Sequence, residues 1–374
     1  MNLMGRAKVG SWVQVRDKEE ILATLDSKGQ LDGMPFMPEM FQFCGRRFQI
    51  YKRAHKTCDT VFPIRGRRVD HSIHLETRCD GGAHGGCQAS CLLFWKEEWL
   101  KPVSDPEARE DLVMAEVSCK PATARHSGCT ERDVWSSASA SRAEDGLPIY
   151  TCQATRLPYA TTDLAWWDLR QYIEDYTSGN VGLWQIFCGL VYSAYYHLSQ
   201  AGIGLGRPMR LFYDKIRHLW RGPIWPRKLG TIPKGKPTPG STLNLQPGEL
   251  VRIKPAEEIL QTINTAGQNR GMSWDAELVP YCGGTYQVLK RVEKFINEKT
   301  GEMQEMKNPG IILDTVVCQG KYSHCRMFCP RAIYSWWREI WLERVESTVP
   351  GQITVEQRVA RSEHSTQDQD MATR

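Results

Sequence analysis

The feature that most constrains this chain is an internal duplication. Residues 13–53 align without a gap on residues 251–291, and sixteen of the 41 aligned positions are identical. The shared positions include a Glu-Glu-Ile-Leu stretch, two turns that contain glycine and a Cys-Gly pair. Because a repeated sequence specifies the same local structure twice, two homologous units of one fold are expected.

Each copy carries four matched cysteines, one early and three late. They are Cys44, Cys79, Cys87 and Cys91 in the first copy, and Cys282, Cys318, Cys325 and Cys329 in the second. Each cluster runs into a Trp-rich segment, residues 95–100 and 337–342. Four thiolates can close a tetrahedral zinc site or hold an iron–sulfur cluster, so the repeat predicts two metal sites. Cys58 has no counterpart in the second copy and is predicted to be a free thiol.

Two features of the cysteine loops favour an iron–sulfur cluster over zinc. Neither set contains the Cys-x-x-Cys knuckle that is common in structural zinc sites, and the first loop is rich in glycine between residues 80 and 86. Backbone N–H groups in such a loop suit the sulfides of a cluster, which accept hydrogen bonds. We therefore expect iron–sulfur clusters that carry electrons or support a redox step in a larger biosynthetic pathway. Zinc is the alternative.

The 13 cysteines also bear on the compartment of the protein. The first ten residues contain basic side chains but no apolar stretch behind them, so we find no signal peptide and expect a cytoplasmic protein. In a reducing compartment, cysteines are metal ligands or core residues more often than disulfides. A net charge of +5 is too small to make the whole chain a nucleic-acid binder.

The predicted fold class is α+β. Two small SH3-like β-barrel units, residues 1–104 and 243–346, each end in a four-cysteine metal site and a Trp-rich helix. They flank a mainly helical insert, residues 105–242, and a polar tail at residues 347–374 is predicted to be disordered. The likeness to an SH3-like barrel rests on the order of short strands, and it implies no function by itself.

The insert contains ligands for a third metal site. Cys119, His126, Cys129 and Cys152 form a set of three thiols and one imidazole, which zinc accepts. Nothing duplicates this set, so the alternative is a group of incidental cysteines on a stretch rich in loops.

Two segments of the insert have helical character. Residues 163–176 carry apolar residues at helical spacing, with Thr161 or Thr162 as N-cap and an aromatic face that is expected in the core. Residues 181–206 contain no Asp, Glu, Lys or Arg. This segment is long enough to span a bilayer, but its polar residues and glycines favour a buried central helix. Peripheral membrane contact is the next choice and a true span the last.

The segment that follows is basic and aromatic. Residues 207–236 contain nine Lys or Arg and a single acid, Asp214. Basic residues among aromatic rings can bind an anionic partner, either a nucleic acid or a lipid surface, and the alternative is a solvated loop rich in proline. The candidate anion-binding residues are Arg207, Arg210, Lys215, Arg217, Arg221, Arg227 and Lys228.

Motifs of the common enzyme classes are missing. The chain has no phosphate-binding loop, dinucleotide-binding loop, nucleophile elbow or zinc-protease motif. Three acid pairs are matched between the copies: Glu19 and Glu257, Glu20 and Glu258, and Glu39 and Glu277. They are expected either to place charge at the start of a helix or to bond the cysteine loops, and Glu39 and Glu277 are the first choice for a catalytic acid. Three classes of function remain. They are a redox metalloprotein with a protein partner, a zinc-stabilised scaffold for an anionic partner, and an enzyme with its active site between the units.

Overall fold

The computed structural model describes residues 7–61, 65–104, 128–138, 141–142, 148–219 and 224–345. Within these residues the chain is a mixed α+β protein with a curled half-barrel sheet, many strands and few helices. The predicted α+β class is therefore confirmed. The predicted polar tail at residues 347–374 lies outside the described residues.

The first repeat unit is built mainly of short strands with one α-helix. Its elements are β1 (Trp12–Val15), α1 (Lys18–Leu22), β2 (Gln30–Leu31), β3 (Met34–Pro35), a 3-10 helix (Pro38–Phe43), β4 (Arg47–Arg53), β5 (Lys56–Asp59), β6 (Arg65–Arg68), β7 (Ser72–Arg78), β8 (Leu92–Lys96), a 3-10 turn (Glu97–Trp99) and β9 (Leu100–Pro102).

The insert contains most of the helices. Its described elements are α2 (Glu131–Ala138), β10 (Ser141–Arg142), β11 (Pro148–Ile149), α3 (Gln153–Arg156), β12 (Thr162–Leu164), α4 (Arg170–Thr177), α5 (Leu183–Gln200) and α6 (Gly206–Leu219).

The second unit repeats the order of the first. Its elements are β13 (Leu250–Ile253), α7 (Ala256–Gln261), β14 (Gln268–Asn269), β15 (Met272–Ser273), a 3-10 helix (Ala276–Tyr281), β16 (Thr285–Ile296), β17 (Met303–Val317), β18 (Tyr334–Trp337), a 3-10 turn (Glu339–Trp341) and β19 (Leu342–Arg344).

The two units have the same sheet topology. The first has an antiparallel five-stranded sheet in the order β8-β7-β4-β1-β9, and the second has the matching order β18-β17-β16-β13-β19. The register repeats as well, since Trp12 lies opposite Gln49 in one sheet and Leu250 lies opposite Gln287 in the other. The duplicated sequence therefore specifies two copies of one architecture.

Matched apolar residues form the core of each unit. Val13, Val15 and Ile21 are fully buried in the first core, and Val251, Ile253 and Ile259 take their places in the second. These residues alternate along the first strand or lie on the inner face of the short helix, so one side of each element packs inward.

The Trp-rich segments are not helices, which corrects the prediction. Each one begins in an edge strand, with Trp95 in β8 and Trp337 in β18. A single 3-10 turn follows the strand in each unit. Trp99 Nε1 donates to Thr24 Oγ1 at 3.1 Å, and Trp341 Nε1 donates to Thr262 Oγ1 at 2.9 Å. The four indoles are fully buried and anchor the closing strand of each sheet.

The units differ in the connection from β4 to β7 in the first unit and from β16 to β17 in the second. The first unit places β5 and β6 there, and these pair with β12 of the insert in a separate three-stranded sheet. The second unit instead has a long hairpin of β16 and β17. This pairing of β12 explains why the helix predicted at residues 163–176 begins only at Arg170. Trp166 and Trp167 before it are exposed, not in the core.

The uncharged segment at residues 181–206 forms α5 and the turn after it. The prediction of a buried central helix is wrong, because much of the apolar surface of α5 faces solvent. No helix among the described residues is long and apolar enough to cross a membrane.

Candidate metal centres

The two cysteine loops have the same backbone construction. Gly81 and Gly320 follow the first cysteine of each loop with φ of 80° and 63°. A Cβ at Gly81 would lie 2.1 Å from the carbonyl oxygen of Cys87, so only glycine allows this turn. Ser90 and Phe328 have φ of 49° and 57° directly before the last cysteine. The strained backbone is thus placed at the two ends of each loop.

A buried glutamate holds each loop. Glu39 Oε1 accepts hydrogen bonds from Ala83 N at 3.1 Å and from His84 Nδ1 at 2.6 Å. Glu277 accepts from Lys321 N at 2.9 Å and from Tyr322 N at 2.5 Å. These two acids therefore bond the cysteine loops, which is one of the two roles expected of the matched acids, and burial raises the pKa of Glu277.

Three cysteines of the first loop lie around one small cavity with a cysteine of the insert. Cys79, Cys87 and Cys91 line it together with Cys152, which caps α3, and its volume is about 30 Å³. Burial, Glu39 and the neighbouring thiol of Cys91 raise the pKa of Cys79. Burial also raises the pKa of Cys91 to about 12 and that of Cys152 to about 11. We call these four residues the first centre.

Cys44 is placed apart from this group. It caps the C-terminal end of the 3-10 helix Pro38–Phe43, whereas Glu39, which Cys79 contacts at 3.8 Å, lies at the other end. A 3-10 helix rises about 2 Å per residue, so the two ends are separated by roughly 10 Å. Burial raises the pKa of Cys44 to about 11, and its charged neighbours are Lys18, Asp17 and Glu19.

The second loop is completed in the same way, by a cysteine from the first unit. Cys58 on β5 and Cys329 are both buried, and the Cys329 thiol donates a hydrogen bond to Cys58 that lowers the pKa of Cys58. Burial, Glu277 and Cys58 raise the pKa of Cys318. Cys325 lies half-buried in the same loop, with its carbonyl oxygen packed against Gly66 of β6. We call Cys58, Cys318, Cys325 and Cys329 the second centre.

Cys282 occupies the position in the second unit that Cys44 occupies in the first. It caps the 3-10 helix Ala276–Tyr281, and its thiol donates to the carbonyl oxygen of Leu278 at 3.8 Å. Burial raises its pKa to about 12, with Glu257 as its acidic neighbour. Both early cysteines therefore pack at the end of a helix, where the repeat gives them a matched role in the core.

Arg331 lies between the two centres. Its Nη2 donates to Glu298 Oε1 at 2.7 Å, and its Nη1 donates to the carbonyl oxygen of Cys58 at 3.3 Å. Burial alone would lower its pKa, but Glu298, Cys58 and Cys91 outweigh burial and raise it. A buried guanidinium that faces thiols of both centres is suited to balance the negative charge of thiolates.

The histidines of the two loops contact residues that surround the centres. His84 joins Glu39 to the carbonyl oxygen of Thr151 at 3.0 Å, so both ring nitrogens are engaged and the loop is tied to the residue before Cys152. The His324 ring stacks on Tyr196 with centroids 4.5 Å apart. Burial and then Arg227 lower its pKa to about 4.

The third predicted site is described only in part. Cys119 and His126 lie outside the described residues. Cys129 is buried beside the Gly29 turn, with Asp133 and Asp26 as its acidic neighbours, whereas Cys152 faces the first loop. The two described members of the set thus belong to different neighbourhoods.

The thiols suit a soft divalent cation, but no three of the described thiols lie within 4.8 Å of one another. Among the described residues, a single group of three candidate ligand atoms lies within 4.8 Å of one another, that of Glu39, Cys79 and His84. Glu39 Oε2 is buried there without a hydrogen-bond partner in the described part of the chain. A bound cation would stabilise the thiolate form of the buried cysteines and would give the unbonded carboxylate oxygen a partner.

The two units differ in how their clefts are filled. In the first unit, Gln153 of α3 bonds Phe94 N and Phe94 O, both at 2.8 Å, and Pro35 O at 3.1 Å, which closes the space over the first centre. In the second unit the matching residues, Trp336 and Ser273, line an open cleft of about 800 Å³ that reaches Cys318. The first centre is therefore enclosed and the second borders a cleft.

The structure divides the candidate anion-binding residues. Arg207, Arg210 and Lys215 are exposed. Lys228 pairs with Asp214 at 2.6 Å, and Arg227 donates to Tyr322 O at 2.7 Å, so both serve internal contacts. Arg221 and the side chain of Arg217 lie outside the described residues.

Two comparisons with known proteins found no match for this chain. No protein-family model matches the chain, and a search of curated proteins finds none that is similar in sequence.

Proposed function

We propose that this chain is a metal-binding protein with two cysteine centres. The observations that support this most are that the three late cysteines of the first unit share a cavity with Cys152, and that Cys58 lies beside Cys318 and Cys329 of the second unit. Each centre would then tie a repeat unit to another segment of the chain. Within this proposal each unit is a small SH3-like barrel, which the curled five-stranded sheets support.

The energetics of burial favour a bound metal. A buried thiol is a weak hydrogen-bonding group, and four of them around one space contribute little stability by themselves. A cation that binds them as thiolates converts the same residues into strong ligands, and the free energy of binding adds to that of folding. Ile296 N already donates to Cys87 Sγ at 3.4 Å, which is a contact that stabilises a thiolate.

The size of the first centre favours zinc over an iron–sulfur cluster. Its cavity of about 30 Å³ holds a single ion. A [4Fe–4S] cluster has eight core atoms and needs more space than this cavity offers. Four thiolates would complete a tetrahedral zinc site with no position left for substrate, so the role at this centre would be structural. Because no three of these thiols lie within 4.8 Å of one another, zinc binding would have to draw the cysteine loops inward.

Metal content with an absorption spectrum, measured on protein purified without oxygen, tests this proposal. About two zinc ions per chain without visible colour are expected. Iron with matching sulfide and visible absorbance would instead establish the iron–sulfur alternative, and the function would become electron transfer. Protein that contains neither metal would end both versions.

Matched cysteine variants test the membership of the centres. Cys152→Ser and Cys58→Ser are each expected to lower the zinc content by about one ion per chain, since each would remove one of four ligands. Cys44→Ser and Cys282→Ser change partly buried cysteines at the 3-10 helices and should keep both ions. The opposite pattern would restore the ligand sets that the sequence alone predicts.

A further inference from the structure

Helix α5 buries small and polar residues and exposes large apolar ones, whereas a core helix does the opposite. Its buried positions are small or polar and include Gly189, Ser193 and Ser199. Its large apolar residues face solvent instead, and Trp184 is 72% exposed and Phe187 56% exposed. A helix of a soluble domain normally turns such residues inward, so this exposed face requires an explanation.

The exposed apolar surface continues along the helical hairpin that α5 forms with α6. Fifteen of the twenty large apolar side chains that are exposed in the described part of the chain lie between residues 166 and 212. We call the following set the hairpin face: Leu183, Trp184, Phe187, Leu190, Val191, Leu198, Ile203, Leu205, Leu211 and Phe212. A continuous set of this size marks a binding surface.

The hairpin cannot turn this face inward without repacking. A Cβ at Gly189 would lie 2.4 Å from the ring of Phe328, so the α5 backbone rests directly on that ring. Tyr195 Oη also donates to Met209 O at 2.6 Å, which fixes α5 against α6. The orientation of the face is therefore set by contacts on its opposite side.

The charges around the face have one sign. Arg207, Arg210 and Lys215 are exposed on α6, beside the apolar Leu211 and Phe212. Asp214 is the one acid between residues 181 and 219, and it pairs with Lys228. Exposed positive charge on α6 thus adjoins the apolar residues of the hairpin face.

We infer that the hairpin face binds the surface of a bilayer that contains anionic lipids. Aromatic and aliphatic side chains would enter the boundary between headgroups and acyl chains, and the three basic residues would lie at the level of the headgroup phosphates. An interfacial position fits α5, which has 18 residues, because no described helix can cross a membrane. Nucleic acid is a poorer match, because leucine, isoleucine and valine side chains do not stack on bases.

Co-sedimentation of the full chain with vesicles tests this inference. The wild-type protein should pellet with vesicles of phosphatidylcholine that contain about a third phosphatidylserine. It should pellet much less with pure phosphatidylcholine, and binding should weaken as salt rises. The α5 backbone rests on Phe328, which precedes Cys329 of the second centre, so the metal content of every sample is measured as well and must match between wild type and variants.

Two double variants separate the apolar and the charged contributions. Trp184→Ser with Phe187→Ser should lower the partition coefficient by at least about tenfold on both kinds of vesicle. Arg207→Gln with Arg210→Gln should lower it by about 25-fold on anionic vesicles and little on neutral ones. Leu250→Ser with Leu289→Ser, which changes two exposed apolar residues of the second unit, is the matched control and should bind like wild type.

Three outcomes would overturn the inference. The first is a wild-type protein that does not bind anionic vesicles. The second is binding that survives the loss of Trp184 and Phe187 unchanged. The third is a dimer or a nucleic-acid complex that the same two substitutions abolish while vesicle binding is absent. Because all substituted side chains are exposed, unchanged unfolding midpoints will show that the variants are folded.

Discussion

Replacing Arg331 with methionine tests whether this arginine balances the charge of two metal centres. The side chain is buried and pairs with Glu298, whose side chain is 26% exposed. Breaking a buried pair by removing one partner costs about 3–5 kcal/mol, and the partial exposure of Glu298 places the expected loss at the lower end, about 3 kcal/mol. This part of the loss does not depend on metal.

A second part of the loss appears only when metal is bound. Four thiolates around one zinc ion leave a net negative charge, and the pKa of Arg331 responds to a cysteine of each centre, Cys58 and Cys91. For an assumed separation of about 7 Å, each unit of that charge contributes roughly 2 kcal/mol at an effective dielectric constant of 20. The affinity for zinc should therefore fall by at least about 30-fold in Arg331→Met, as measured by competition with a coloured chelator.

Arg338→Met is the matched control for Arg331→Met. Arg338 is also buried, but its guanidinium bonds backbone carbonyl groups, among them Arg270 O at 2.7 Å. Its loss should lower the free energy of unfolding and leave the affinity for zinc close to wild type once folded protein is compared. An unchanged affinity in Arg331→Met, or an equal fall in both variants, would refute the charge-balance argument.

Three further predictions concern single side chains. Glu277→Gln should lower the free energy of unfolding in urea by about 2–3 kcal/mol, because Lys321 N and Tyr322 N lose a charged acceptor; an unchanged midpoint would contradict this. Gly189→Ala should cost about 1–3 kcal/mol, since the new methyl group meets the ring of Phe328; calorimetry measures it, and a rise in melting temperature would count against it. Burial lowers the pKa of His74 to about 4, below its unfolded value of about 6.5, because the fold holds the neutral ring. The free energy of unfolding therefore has its full value above pH 6.5 and falls as the pH drops from about 6.5 to about 4. His74→Phe should therefore weaken the acid sensitivity of unfolding between these two pH values, and an identical pH profile would contradict the assignment.

The duplicated sequence predicts the parts of the fold that each unit builds for itself. Val13 and Val251, with the residues around them, predict strands in equivalent places, and the sheets have the same order. Glu39 and Glu277 bond the cysteine loops, which is one of the two roles expected of the matched acids. These features depend on residues that are close in sequence or shared by the copies, so the pattern contains the information.

The fourth cysteine of each centre could not be predicted from the repeat. Cys152 and Cys58 have no counterparts, and only the packing of the insert and of β5 brings them to the loops. Cys44 and Cys282, which the repeat predicts as ligands, lie at the C-terminal ends of two matched 3-10 helices. The exposure of α5 was missed for a related reason, since a run without charges is equally typical of a core helix and of a helix at an interface.

The origin of Cys58 in the first unit has a consequence for chain entropy. A metal that joins Cys58 to Cys329 would close a loop between residues 271 positions apart in the sequence. In the polymer model of cross-links, closing a loop of that length removes unfolded-state entropy worth about 5–6 kcal/mol. The halves of the molecule would then lose their stability together when the metal is withdrawn, because the same ion restricts the unfolded chain over most of its length.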